Sequence, residues 1–481
     1  MTVPYQCLAS CTRPAGDDFE WLLFGATGSQ LVVQSSTGAT STWAPETPTP
    51  DVKEPARKDD DEGPPGKRVK LTPVAEPRPN FLHLRTAKDG KYLVAVTAED
   101  KCIRVFQADA QCHLEQLSQR CMPKRPSSVA LTPDGTTILV ADKFGDVYSL
   151  PLLPSPVSEV AATPEPKEEQ KKFAPSASVL TVHSGRNRKA LEEQLKQAEK
   201  GPKQGKEAPK FKHDLILGHV SMLTDVACTT VGSRSYILTA DRDEHIRLSR
   251  GIPQAHVIEG FCQGHEEFVS RLCFTNAGHL VSGGGDPDLY LWDWLNYRLL
   301  EKISLQQPIL ERYKGHPYQN APTEFKVAVS GLWSVPTAEE EDDEILVACE
   351  GLPALVNYRF GSSSKSAKVI PLTGNVLDLA FIDVPEVGPT AVISIDHVHE
   401  PGSTSVVRTE PLASRLQYLS RQSGEWREDK TLSKALEGFS RAVQGDAGID
   451  AECSSSKGDD KALRDMLYGV ENLRKRPGAE E

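Results

Sequence analysis

A segment of about 45 residues recurs along the chain, and this repeat constrains the fold more than any other feature of the sequence. The Gly-His pair at 218–219 returns 46 residues later at 264–265, and in both copies a Ser or Thr stands four residues before an Asp. Two further copies carry the Asp-Gly pairs 89–90 and 134–135, which are 45 residues apart. Short alternating apolar runs fill each copy, as expected for strands. Such a repeat indicates an array of small sheets rather than one packed core.

The order of the motifs within the repeat narrows the fold class. A Gly-His pair early and a Trp-Asp pair late, as at Trp292-Asp293, are typical of a WD40 propeller blade. We therefore predict an all-β, seven-bladed WD40 β-propeller over residues 1–409. The predicted blades are 1–45, 80–108, 124–152, 213–251, 260–298, 323–360 and 366–409.

Polar residues at fixed places in two blades predict a structural hydrogen-bond chain. In the fifth blade this tetrad is His265, Ser282, Asp286 and Trp292, which can connect three strands and hold a turn. The fourth blade keeps three of the four positions and has a serine in place of the tryptophan; its members are His219, Thr239 and Asp243. We interpret all seven as structural residues and not as catalytic ones.

Two insertions and a tail interrupt the repeat. Residues 46–79 and 151–212 are rich in proline or charge, so we predict that they are disordered. Residues 410–481 form a C-terminal tail, in which apolar residues spaced along one face predict an amphipathic helix near 459–476.

The first insertion carries a basic cluster, Lys67-Arg68-Val69-Lys70, directly after Pro64-Pro65-Gly66. A short basic run in an exposed extended segment is what a nuclear import receptor can bind. We therefore predict an import signal at Lys67, Arg68 and Lys70 and a nuclear location. The alternative is an uncommitted solvated linker.

The sequence contains no recognisable catalytic or ligand-binding motif, and we predict no catalytic, cofactor-binding or metal-binding residues. The sequence has no G-x-S-x-G elbow, no Walker motif and no H-E-x-x-H. The ten cysteines include no C-x-x-C pair, so buried reduced thiols are expected. The acidic run 339–344 is interpreted as a solvated loop rather than a metal site.

The charge of the chain bears on its partners. Asp and Glu outnumber Lys and Arg by 67 to 55, giving a net charge of −12. A protein that holds nucleic acid alone needs a basic surface, because phosphate contacts supply most of the affinity. A role in RNA biology would therefore need another subunit for most phosphate contacts. No apolar run is long enough for a membrane helix, so no membrane partner is expected.

The amino-acid sequence of blades three to five is more specific than that of a generic WD40 blade. The segments ADKFGDVYSL, LTDVACTTVGSRSYILTADRDEHIRLSR and LVSGGGDPDLYLWDW resemble the non-catalytic WD-repeat subunit of the tRNA (guanine-N7)-methyltransferase. The resemblance implies a nuclear scaffold, itself no enzyme and without a cofactor, that binds and stabilises an S-adenosylmethionine-dependent catalytic subunit as a heterodimer. The partner would form N7-methylguanosine in the tRNA variable loop and would make most of the tRNA contacts.

The resemblance also points to partner-binding residues in the run 241–247. In the family, the basic residue at the place of Arg247 forms an ion pair with the catalytic subunit, and Arg242 and Glu244 are further candidate contacts. Strand alternation predicts that Arg247 is exposed, opposite to its apolar neighbours. The alternative is a solvated strand charge, like Arg104 in the second blade.

Two other functions are compatible with a WD40 propeller. A generic WD40 adaptor, such as a substrate receptor of a cullin-type ubiquitin ligase, often has an arginine two residues beyond the Trp-Asp pair, where this chain has Leu295. An enzyme with a site at the propeller mouth would need converging titratable residues, and no such motif is present.

Overall fold

Seven four-stranded antiparallel sheets, each built from consecutive strands, account for the twenty-eight strands of the described part of the chain. The structure is a computed structural model that describes residues 3–15, 18–45, 78–154, 211–313, 325–337, 343–360, 367–410, 414–422, 424–432, 436, 439 and 457–475. The predicted seven-bladed all-β propeller is confirmed. The predicted import residues lie outside the described ranges, as does nearly all of both insertions.

The first four blades follow the chain in order. Blade 1 has β1 (Cys7–Ala15), β2 (Asp18–Thr27), β3 (Gln30–Ser35) and β4 (Thr40–Trp43). Blade 2 has β5 (Phe81–Thr86), β6 (Tyr92–Thr97), β7 (Cys102–Ala108) and β8 (Leu114–Cys121). Blade 3 has β9 (Pro126–Leu131), β10 (Thr137–Asp142), β11 (Asp146–Pro151) and β12 (Asp214–Gly218). Blade 4 has β13 (Leu223–Val231), β14 (Arg234–Asp241), β15 (Ile246–Arg250) and β16 (Ile258–Cys262).

The other three blades repeat the plan. Blade 5 has β17 (Val269–Phe274), β18 (Leu280–Gly284), β19 (Asp288–Asp293) and β20 (Arg298–Ser304). Blade 6 has β21 (Val329–Ser334), β22 (Glu344–Cys349), β23 (Ala354–Arg359) and β24 (Lys368–Pro371). Blade 7 has β25 (Val376–Val384), β26 (Gly388–Ile395), β27 (Leu416–Gln422) and β28 (Glu425–Glu428). The helices are α1 (Gln306–Tyr313) and α2 (Lys457–Leu467), with 3-10 turns at Trp294–Asn296 and Glu471–Leu473.

The predicted blade boundaries were wrong at the fourth strand. Each of blades 2 to 7 runs past its predicted end, and blade 7 reaches Glu428 rather than residue 409. The fourth strand of blade 3 follows the long insertion. These strands are the outermost of each sheet, and in β8 and β16 all residues but one are exposed or only partly buried. Without a buried face a strand loses the apolar alternation that marks it in the sequence.

The hydrophobic core lies between blades rather than inside one layer. A typical cluster packs Val281 and Leu289 of blade 5 against Val329 and Ile345 of blade 6, all fully buried. Equivalent clusters join blades 6 and 7 and blades 1 and 2. Both faces of the inner strands are therefore covered by neighbouring blades, and a residue in the middle of a blade has no face that is open to water.

The ring closes between blades 7 and 1 without a shared strand. Side chains hold this seam. The Tyr5 ring stacks on Phe439 with centroids 4.9 Å apart, and its hydroxyl donates to the Phe439 carbonyl oxygen at 2.7 Å. The buried Asp378 carboxylate accepts the Leu8 amide at 2.7 Å, and Ser394 Oγ donates to the Tyr5 carbonyl oxygen at 2.5 Å. The seam thus depends on residues from both ends of the propeller.

The cysteines differ from the expectation in one pair. Cys102 and Cys121 are opposite each other on β7 and β8 and form a disulfide. Seven other cysteines of the described residues are free thiols. Burial raises the pKa of the Cys273 and Cys349 thiols to about 12, so these two are unreactive near neutral pH.

None of the helices described has the length and apolarity to cross a membrane.

Candidate functional site

The tetrad of blade 5 forms a continuous hydrogen-bond chain. His265 Nδ1 lies 2.7 Å from Asp286 Oδ2, and His265 Nε2 lies 2.7 Å from Ser282 Oγ. Trp292 Nε1 donates to the same hydroxyl at 2.8 Å. Burial raises the pKa of the Asp286 carboxyl, but the hydrogen bond and charge of His265 and the amides of Glu266 and Glu267 together outweigh this, and the pKa lies below its ordinary value. All four side chains are buried, so they can hold the blade but cannot meet a substrate.

In blade 4 the predicted turn residue was wrong. Thr239 Oγ1 lies 3.1 Å from His219 Nε2 as the pattern indicates. The turn itself is held by Asp241, whose Oδ1 accepts the amides of Asp243 and His245 at 2.9 and 3.0 Å. An Asp at the first position of a tight turn bonds the amide two residues on, which favours Asp241. Asp243 is left half-exposed.

A sequence signal for this turn exists in blade 3. There Asp142 Oδ1 accepts the amides of Phe144 and Asp146 at 2.7 and 3.1 Å. The Ala-Asp pair at 141–142 corresponds to the Ala-Asp pair at 240–241. Aligning on this pair would have identified Asp241.

Arg247 is buried, at 8% exposure, and the predicted exposed position was wrong. Its strand, β15, has neighbouring blades on both faces, so alternation does not create a solvent face. The guanidinium donates from Nη1 to the Gly218 carbonyl oxygen at 3.0 Å and from Nε to Ser249 Oγ at 3.3 Å. Burial lowers its pKa, while the nearby Asp241 carboxylate acts in the opposite direction. Within the described residues, no carboxylate is in ion-pair contact with Arg247.

The equivalent arginine of blade 2, Arg104, has the kind of acidic partner with which Arg247 makes no described contact. Arg104, at 4% exposure, is also buried rather than solvated. Its Nη2 contacts the carboxylate of Asp100 at 2.5 Å. Asp100 stands four residues before Arg104, as Asp243 stands four residues before Arg247. In blade 4 that acid is directed elsewhere, and the arginine keeps only neutral acceptors.

The C-terminal strap, defined here as residues 468–475, crosses the loops of blades 4 to 7. A single helix near 459–476 was expected, but α2 ends at Leu467 and the strap begins there. The Glu350 carboxylate accepts the amides of Gly469, Val470 and Glu471 at 2.5, 3.0 and 2.6 Å. These bonds satisfy amide groups at the start of the 3-10 turn and hold the chain away from the helix path.

The first residue of the strap is its buried anchor. The Tyr468 hydroxyl donates to the Asp396 carboxylate and accepts from Asn375 Nδ2 at 3.1 Å. Its ring meets His399 edge-on, with centroids 5.6 Å apart. Burial raises the pKa of Tyr468 above its ordinary value. The strap is therefore fixed at this end.

Arg474, the second-last residue of the strap, fixes it to blade 5. Its Nη1 lies 3.1 Å from the Glu267 carboxylate and 3.1 Å from the Gly285 carbonyl oxygen. Its Nη2 donates to the Val327 carbonyl oxygen at 2.8 Å, and the guanidinium lies 5.5 Å from the centre of the Phe268 ring. This one side chain joins blade 5 to the segment before blade 6.

The end of the strap lies on the loop between β14 and β15. Lys475 Nζ is 2.8 Å from Glu244 Oε1 and 3.3 Å from Asp243 Oδ1. Arg242 Nε donates to the Leu473 carbonyl oxygen at 2.8 Å. The predicted contact residues Arg242 and Glu244 thus bind the protein's own tail. The structure brings both together with Arg247 on neighbouring positions of one loop and strand.

The described residues hold no group of three or more His, Cys, Asp or Glu side chains suited to a metal ion. What the loop and strap provide is a charged surface next to a buried arginine that makes no ion pair within the described part of the chain. Such an arrangement suits recognition of another macromolecule rather than chemistry on a small substrate.

Comparison with known proteins identifies relatives over the whole chain. Residues 23–419 match the family model of the tRNA methyltransferase TRM82 WD40 domain. A protein of Phaeosphaeria nodorum described as the tRNA (guanine-N(7)-)-methyltransferase non-catalytic subunit TRM82 is 53% identical over 488 residues, which covers all of both chains. A protein of Sclerotinia sclerotiorum with the same description is 43% identical over 415 residues, covering 84% of this chain and 77% of the relative.

Solved structures support the fold alone. The structure of U3-55K covers 87% of this chain and 96% of its own, with a TM-score of 0.51 and 14% identity. The RRP9 WD40 repeats give a TM-score of 0.51, with 14% identity and coverage of 88% and 95%. At this identity the likeness establishes a WD40 propeller and carries nothing about partners.

Proposed function

Because this chain belongs to the TRM82 WD40 family, the non-catalytic subunits of tRNA (guanine-N7)-methyltransferase, we propose that it binds and stabilises a separate catalytic subunit. The pair is a heterodimer in which the partner transfers the methyl group from S-adenosylmethionine to N7 of a guanosine in the tRNA variable loop. The propeller itself performs no chemistry.

The burial of Arg247 without an ion pair in the described residues is the observation that supports this role best. A buried guanidinium without a carboxylate is costly unless an outside group completes its interactions. Its strand begins at the loop of Arg242 and Glu244, where a partner can approach. A carboxylate of the catalytic subunit placed against Arg247 would form a desolvated, charge-assisted contact, which is the strong kind.

The net charge of −12 supports an indirect role in tRNA binding. An acidic chain gains little from counterion release on a phosphate backbone. The catalytic subunit therefore makes most of the tRNA contacts in this proposal.

Methyl transfer to tRNA tests the proposal. The samples are this chain, the candidate catalytic subunit of the same organism, and the co-expressed pair. We expect activity only or mainly in the pair, together with co-purification of the two chains. Equal activity of the catalytic subunit with and without this chain, and no co-purification, would contradict the proposal. Activity of this chain alone would also contradict it.

The basic cluster of the first insertion supports a nuclear location for the complex. In a fluorescent-protein fusion, changing Lys67, Arg68 and Lys70 together to alanine should shift the protein from the nucleus to the cytoplasm. The matched control changes Lys53, Arg57 and Lys58, which lie in the same insertion. Unchanged nuclear accumulation of the first variant would remove this import signal.

A further inference from the structure

We propose that the C-terminal strap prepares Arg247 for the catalytic subunit by holding Asp243 away from it. This inference rests on the function proposed above. The partner surface is then composite: loop 241–245 and the strap of the same chain present one buried, unneutralised guanidinium to a carboxylate of the partner.

Blade 2 shows what the loop does when no strap is present. Asp100 neutralises Arg104, and both belong to the same blade positions as Asp243 and Arg247. An acid four residues before the arginine is therefore within reach across the turn. In blade 4 the Asp243 carboxylate instead contacts Lys475 at 3.3 Å. The Asp243 carboxylate also accepts a hydrogen bond from the Ser221 side chain, so Lys475 is one of two groups that hold it in blade 4.

The anchoring of the strap makes this contact effective. The Asp243 and Lys475 side chains are 46% and 41% exposed, and isolated ion pairs of this kind contribute little. Here the backbone of Lys475 is already fixed by Tyr468, Arg474 and the amide bonds to Glu350. Little further entropy is lost when its ammonium group meets the loop.

The backbone of the loop has the same turn conformation as the loop of blade 2. Glu244 has a φ of 70°, in the left-handed region that a residue with a side chain rarely adopts. Its carboxylate is the closer partner of Lys475, at 2.8 Å. Lys101 of blade 2, three residues before Arg104, has a φ of 59°, so this conformation belongs to the turn in both blades and the two loops can be compared directly.

Affinity for the catalytic subunit tests the inference, measured with the full chain and the S-adenosylmethionine-dependent partner. We expect Lys475→Glu to weaken binding about tenfold, because Asp243 is released towards Arg247. The matched control is Lys461→Ala, an exposed lysine on α2. The double variant Lys475→Glu with Asp243→Asn should recover most of the affinity, since the competing carboxylate is gone.

The possible results separate this inference from the proposed function. Equal or tighter binding by Lys475→Glu would overturn it, and tighter binding would mean that the strap competes with the partner. Failure of the double variant to recover affinity, with an unchanged melting temperature, would also overturn it. Absence of binding by the wild-type chain would overturn the proposed function and this inference together.

Discussion

Replacing Arg247 with glutamate should abolish stable association with the catalytic subunit, and methyl transfer by the mixture should fall to the level of that subunit alone. Removing one partner of a desolvated charge pair costs roughly 2–5 kcal/mol, and the reversed charge adds repulsion against the partner's carboxylate. Arg247→Gln, which removes the charge and shortens the side chain but keeps an NH2 donor, should show the same direction with a smaller loss.

Arg247 is buried, so the fold of each variant has to be measured beside its binding. Thermal unfolding monitors the propeller, and co-purification and the dissociation constant monitor the complex. Arg234→Glu is the control, because Arg234 is an exposed arginine of the same blade at the start of β14. Binding of a folded Arg247→Gln variant within twofold of the wild type would remove Arg247 from the interface.

Glu344→Ala should give the largest loss of stability. This side chain is 0% exposed at the start of β22. Its carboxylate accepts from Asn357 Nδ2 at 2.5 Å and Trp426 Nε1 at 2.9 Å, and it pairs with Arg359 and Arg421. Removing one member of a buried ionic network costs about 3–5 kcal/mol because the remaining charges lose their partner.

Urea unfolding followed by tryptophan fluorescence measures this loss, and Trp426 reports from within the network. Glu428→Ala is the control, since Glu428 is an exposed acid on the same blade as Trp426. A loss below about 1 kcal/mol for Glu344→Ala would show that the network contributes no more than a surface pair.

The role of Glu344 could not be predicted from the sequence. The acidic run 339–344 has the composition of a solvated loop, yet its last two residues are buried and hydrogen-bonded. The partners of Glu344 on blade 7 stand 77 and 82 positions further along the chain. No local pattern can indicate a neighbour at that distance, because it is set by how blades stack.

The predicted solvent exposure of Arg104 and Arg247 was wrong for a related reason. Alternation separates two faces of a strand, but it does not tell whether the second face meets water or another blade. The repeat, the number of blades and the hydrogen-bond chain of blade 5 could be predicted because their motifs recur at short, regular spacing. The strap could not, because its hydrogen bonds join a segment near the C-terminus to loops 72 to 231 residues earlier.

The seam between blades 7 and 1 changes how the whole molecule should be regarded. Where a propeller completes its last sheet with a strand from the other end, opening the circle breaks a ladder of backbone bonds. Here each described blade is finished within its own stretch of chain, and contacts such as Tyr5 with Phe439 hold the ends together. The protein is in this sense a curved solenoid whose two ends are held together by side-chain contacts, and this junction can open while every sheet stays intact.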